Sequence, residues 1–314
     1  MLMNLTWTPV VPHIGSNANQ PTRRCLLAGA AALALAGCTV NPDSDHHGAD
    51  APSSAALART PGVAWVLSSG GPRGFVHVGV LKALHELGLK PDLIVGASAG
   101  ALVGSLFAAR MPIALLERTA VELGAWKLAR LNLGGGERLS GGALADMVRE
   151  LVQEHAGVSL LERLPTMMVI AAQRLADGAV IGFNRGDVGL AVQASAAIEG
   201  QFAPVRIRGQ RYADADQRMP LPVRLARALG ATRVLAVDAS AFEDKAPAGT
   251  ERWREGDLRK RALTAPDAKL ADVLLHPDIG YYASITREYR ERVIEASYRA
   301  AMAQAPSLRA LHVL

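Results

Sequence analysis

Twice between residues 63 and 109 a short apolar run breaks on small residues and then continues as a helical pattern. The first unit is "VAWVLSS" (63–69), "GGPRG" (70–74) and "FVHVGVLKALHELG" (75–88). In its last part Val80, Leu81, Leu84 and Leu87 recur at helical spacing, and Gly88 supplies a stop. The second unit is "PDLIVGA" (91–97), then Ser98 and a helical stretch over 99–109. Strands joined through helices pair in parallel, and a parallel sheet is covered on both faces. That is why these runs are continuously apolar instead of alternating. The repeated unit therefore predicts an α/β fold.

Downstream the alternation goes on. Helices are expected over 112–127, 141–155, 188–197, 221–230 and 285–304, and strands over 166–175, 179–184, 233–240 and 272–277. A mainly parallel central sheet between helical layers, a three-layer sandwich in one domain over 62–314, accounts for this order. Only the polar piece 241–268 interrupts it and reads as a mobile surface excursion. Half of the residues are hydrophobic and 4% aromatic, so the core must be built from Ala, Val and Leu.

Residues 1–37 read as a signal peptide instead of fold. Arg23 and Arg24 precede the apolar run 25–36, which is shorter than the roughly 20 residues a membrane-spanning helix needs. "TRRCLL" (22–27) also looks like a loose twin-arginine signal, and the first 20 residues fit a signal n-region poorly, which would suit a start codon further in. Leu35-Ala36-Gly37-Cys38 resembles a bacterial lipobox, which would be cut before Cys38 to leave that thiol acylated; an ordinary secretory signal with a chance Cys is the alternative. Thr39 lacks the aspartate associated with inner-membrane retention, so the periplasmic face of the outer membrane is the expected location. The two cysteines are Cys25 and Cys38, so the mature chain would form no disulfide. Removing Arg23 and Arg24 lowers the net charge from +5 to +3, too mild an excess to argue for nucleic acid. Residues 38–61 are polar and read as a flexible linker. Asp43, Asp45, His46 and His47 within it offer metal-ligand types, but a solvated linker supplies no fixed geometry.

Ser98 lies between a strand and a helix in Gly-x-Ser-x-Gly context. A nucleophile on such a turn takes a strained backbone, and Gly96 and Gly100 remove side chains that would collide there. The helix N-terminus then turns its free N–H groups towards the hydroxyl. Acyl transfer also needs donors aimed at the developing oxyanion, and Gly70 and Gly71 can give backbone N–H groups, whereas Pro72 cannot. The same loop could bind phosphate, although it lacks a P-loop ending and the spacing of a dinucleotide fingerprint. Arg73 is equally readable as a partner of a lipid phosphate or as a salt-bridged surface residue.

The stretch "SSGGPRGFVHVGVLKALHELGLKPDLIVGASAG" (68–100) resembles the patatin-like phospholipases. The similarity continues through "LAVQASAAIEGQFAPV" (190–205), "QRYADADQRMPLPV" (210–223) and "ATRVLAVDAS" (231–240), covering roughly residues 62–305. It implies a serine acyl hydrolase acting on phospholipid or another acyl lipid, without metal or cofactor. It also implies a Ser98–Asp214 dyad and an oxyanion loop of Gly70, Gly71, Arg73 and Gly74. The family's Asp-Gly-Gly/Ala motif is here Asp214-Ala215-Asp216, Glu199 stands where proline is usual, and Met219 replaces a polar residue. Asp216 is either a solvated turn residue or a like charge that raises the pKa of Asp214.

Two other readings fit the residues. Ser98, Asp238 and His276 follow the chain order of an α/β-hydrolase triad, although only one strand–helix unit precedes Ser98. The altered aspartate motif also suits a catalytically weak or inactive envelope lipoprotein that uses its pocket for binding.

Overall fold

The computed structural model describes residues 44–122, 130–131 and 139–313. The expected signal peptide and the lipobox Cys38 lie outside them. Strand β1 (Val63–Leu67) is fully buried and leads through a 3-10 turn (Gly71–Gly74) into α1 (Phe75–Glu86). Next come β2 (Leu93–Ala97), α2 (Ala99–Ala108) and α3 (Ile113–Glu122). A small β3–β4 ribbon (Arg130–Leu131 with Leu139–Ser140) precedes α4 (Gly142–Ala156). The chain then builds β5 (Met167–Arg174), β6 (Val180–Phe183), α5 (Val188–Ser195), β7 (Val205–Ile207) and β8 (Gln210–Asp214). It closes with α6 (Val223–Ala228), β9 (Arg233–Val237), α7 (Glu251–Ala268), β10 (Val273–Leu275), α8 (Arg287–Ala303) and α9 (Ala305–His312).

The sheet runs β10-β9-β1-β2-β5-β8-β7, with β6 also paired to β5. Neighbours from β10 to β5 are parallel, whereas β6, β7 and β8 pair antiparallel. The mainly parallel sandwich expected from the sequence is therefore present, with an antiparallel margin. The short strands β7 and β8 fell outside the sequence expectation because polar residues make up most of "VRIRGQRYAD". Alternate residues of the central strands face two different cores. Trp65, Leu67, Ile94 and Ile170 join one with α1, α2, α5 and α8. Ala64, Val66, Val95 and Val234 join a smaller one with α6. Each such Val, Leu or Ile contributes about 1.5–3 kcal/mol through burial.

Two expectations need correction. Residues 44–61, read as a flexible linker, are from Asp45 onward laid along the antiparallel margin. His46 bridges Ile207, Ser53 bridges Arg185, and Ala55 exchanges hydrogen bonds with the Asn184 side chain. The cause is open backbone at the edge of β7 and just after β6, whose N–H and C=O groups pair with an extended segment whatever its side chains. The piece 241–268, read as an excursion, contains the long helix α7. It is polar almost all round, so periodicity gave no signal. Its anchor is polar too: fully buried Asp267 accepts from the Arg224 backbone N–H at 2.9 Å and from its Nε at 3.0 Å. No helix among the described residues is long and apolar enough to cross a membrane.

Candidate active site

Ser98 joins β2 to α2 with φ 51° and ψ −118°, a strained conformation for a side chain with a Cβ. Close packing holds it there. A Cβ on Gly100 would lie 2.2 Å from the Leu67 carbonyl oxygen, and one on Gly96 2.6 Å from the oxygen of Gly100. No larger residue fits either position, so the turn approaches β1 as tightly as backbone allows. The Ser98 N–H donates to Ser195 Oγ at 2.8 Å, and that hydroxyl donates to the Ala171 carbonyl at 2.6 Å. Elements α5 and β5 thus brace the turn from behind.

Asp214 ends β8 opposite Ala172 of β5, and its N–H donates to the Ala197 carbonyl at 3.0 Å. The scaffold that braces Ser98 therefore also places Asp214. Ser98 and Asp214 are both 5% exposed. Together with Gly70, Gly71, Glu199, Asp216 and Lys260 they line a cavity of about 240 Å³.

Burial pushes the Asp214 carboxyl up to about 7, and the neighbouring Asp216 charge adds to the rise. The Ser98 hydroxyl, the Asp216 N–H and the Lys260 charge oppose it. Burial also works against ionisation of Asp216, but the Lys260 ammonium and the Ser69 hydroxyl outweigh it and hold that carboxyl below the ordinary range. Asp216 is thus no solvated turn residue. It accepts from Lys260 Nζ at 2.6 Å and from Ser69 Oγ. The expected like-charge effect on Asp214 is present, second to burial.

The residues expected in the oxyanion loop separate. Gly70 and Gly71 line the cavity, Gly71 with φ 50°. Arg73 and Gly74 do not. The Arg73 N–H donates to the Gly70 carbonyl at 2.9 Å, and its guanidinium donates to the carbonyls of Gly280 and Tyr281. Arg73 therefore shapes the loop and ties it to the 280–281 segment without facing the cavity. The alternative triad also separates. His276 lies 3.0 Å from the Ser240 carbonyl through Nε2 and stacks on Phe242, while Asp238 accepts from the Ser240 N–H. Neither lines the cavity that holds Ser98. In the former linker Asp45 pairs with His47 and caps the Gly209 N–H, while Asp43 lies outside the described residues. No group of three or more metal-ligating side chains occurs among the described residues.

Sequence reasoning missed Lys260, Ser69 and Ser195. Ser69 stood beside the glycine loop and could have been weighed as a donor. Lys260 and Ser195 had no local signal, because their partners lie in distant segments.

Comparison with known proteins agrees with this architecture. An uncharacterized NTE family protein of Mycobacterium tuberculosis is 32% identical over 218 residues, covering 64% of this chain and 58% of that protein. Lysophospholipase nte1 of Emericella nidulans is 26% identical over 198 residues, covering 60% of this chain and 12% of that one. The chain thus spans less than two thirds of the length of these relatives. The crystal structure of VipD from Legionella pneumophila superposes with a TM-score of 0.56 at 15% identity, over 87% of this chain and 73% of that one, a likeness of fold. The model of the patatin-like phospholipase family matches residues 65–227, from β1 through the Ser98 turn and Asp214 to α6, and the chain belongs to that family.

Proposed function

We propose that this protein is a serine acyl hydrolase that cleaves esters of phospholipids or other acyl lipids through a Ser98–Asp214 dyad. The observation that carries the reading is the single cavity that Ser98 and the buried Asp214 carboxyl line together, beside the Gly70–Gly71 turn. A carboxyl that titrates near 7 is half ionised at neutral pH and is a far better base than an exposed aspartate. Asp214 takes the hydroxyl proton as Oγ bonds to the ester carbonyl carbon, and the Gly70 and Gly71 N–H groups face the oxyanion that forms. The proton then passes to the departing alkoxide, which leaves as an alcohol. Water attacks the acyl-enzyme and gives a proton to Asp214, which returns it to Ser98 Oγ as the acyl–oxygen bond breaks and the fatty acid leaves.

The location belongs to the same proposal. Acylated Cys38 would hold the enzyme at the periplasmic face of the bacterial outer membrane, within reach of lipid substrate. Hydrolysis across a panel of acyl esters, with Ser98→Ala as control, tests the activity. Equal rates for both proteins overturn it, and failure of a fluorophosphonate to label folded wild type points to a binding module. Labelled palmitate incorporated by wild type and lost in Cys38→Ser tests the anchor.

A further inference from the structure

Beside the buried proposed base stands a second, partly buried carboxylate, and like charges held so close need compensation. The compensating charge comes from α7, whose contribution to the cavity wall is Lys260. Its Nζ is 2.6 Å from Asp216 Oδ1, the oxygen that also accepts from Ser69 Oγ. The Asp216 backbone N–H in turn donates to Asp214 Oδ1 at 2.9 Å. One contact from α7 therefore fixes the side chain of the residue whose N–H holds the base, and joins that turn to Ser69 at the mouth of the glycine loop.

We infer that Lys260 is a positioning residue for Asp214, acting through Asp216: it supplies the counter-charge that lets a second carboxylate stand beside the first. The inference rests on the reading of Asp214 as the base. It also gives a physical account of the Asp214-Ala215-Asp216 sequence, where the family pattern has only small residues after the aspartate. An acidic side chain is tolerated there because α7 delivers an ammonium to it. The other charged group at the cavity is Glu199, exposed at its mouth. From the remaining neighbours, α2 presents the Ser98 hydroxyl, α5 carries no charged residue, and Arg174 of β5 is paired with Asp177. Among the described residues Lys260 is thus the cation placed to act on the pair.

The experiment is the pH profile of kcat/KM on a short-chain acyl ester, together with ¹³C NMR titration of the Asp214 carboxyl in the full chain. In Lys260→Met the acid limb should move up by about one pH unit or more, because the pair loses its counter-charge. Lys260→Arg should keep the wild-type limb. With Asp216→Asn in place, adding Lys260→Met should move the limb far less. An unmoved limb in Lys260→Met overturns the proposal. So does an equal shift in the Asp216→Asn background, or a rise in KM alone, which would make Lys260 a substrate-binding group. If wild type hydrolyses no ester faster than Ser98→Ala, the hydrolase reading falls, while the NMR titration still decides the role of Lys260. Lys260→Gln serves the same comparison should the methionine variant not fold, as judged by circular dichroism.

Discussion

The two walls of the cavity are built in opposite ways. The Ser98 wall is local: strand, turn and helix follow one another from residue 93 to 108, and backbone sterics at Gly96 and Gly100 hold the shape. The carboxylate wall is assembled from β8, the turn after it, α7 and the start of the glycine loop, joined through Asp214, Asp216, Lys260 and Ser69. The first wall is rigid because nothing larger fits. The second is held by charge, so pH and single substitutions reach it more easily.

The largest expected effect breaks the local wall chemically. Ser98→Ala should lower kcat/KM on the order of 10⁴-fold or more, measured against wild type on the same ester. A variant that kept its activity would remove the nucleophile from the scheme. Next, Asp214→Asn should lose about 10³-fold, since it deletes the base and spares the fold.

The wild-type activity should rise with pH through about 7, as Asp214 ionises. Stability should run the other way. Folding raises the Asp214 pKa, so ionisation costs the native state more than the unfolded chain as pH climbs from about 4 to 7. Asp214→Asn should therefore melt higher than wild type at pH 8 and at about the same temperature at pH 4. Equal melting at both pH values would show that the carboxylate wall is not under this strain.

Smaller effects sharpen the contrast between sterics and charge. Gly100→Ala forces a Cβ against the Leu67 carbonyl and should cost about 3 kcal/mol in urea unfolding, the upper end for overpacking. Asp267→Ala cuts the anchor of α7 and should cost about 2 kcal/mol, because Arg224 is half exposed and regains water. Because α7 carries Lys260, that variant should also shift the acid limb. The smallest effect is expected for His276→Ala, within about twofold of wild-type activity, since that ring faces Ser240 and Phe242 instead of the cavity.

How much was legible in the sequence follows the same division. The class of fold, the parallel strands β1, β2, β5, β9 and β10 and the Ser98 turn were readable, because periodicity and glycine sterics act over a few residues. The glycine turn beside the cavity was readable for the same reason, whereas the Arg73 guanidinium, expected with it, bonds the carbonyls of Gly280 and Tyr281 instead of lining the cavity. The segment 44–61 was misread because composition describes solubility and says nothing of an open sheet edge nearby. Helix α7 was misread because its stabilising contacts are polar and come from residues distant in sequence.

The sequence by itself determined a strained hydroxyl at the end of a parallel strand, since small residues there leave the chain few other shapes. Only the tertiary structure decided the electrostatics around it. Whether Asp216 is solvated or paired with an ammonium depends on where α7 packs. Charge interactions act through space, over distances that chain order does not encode.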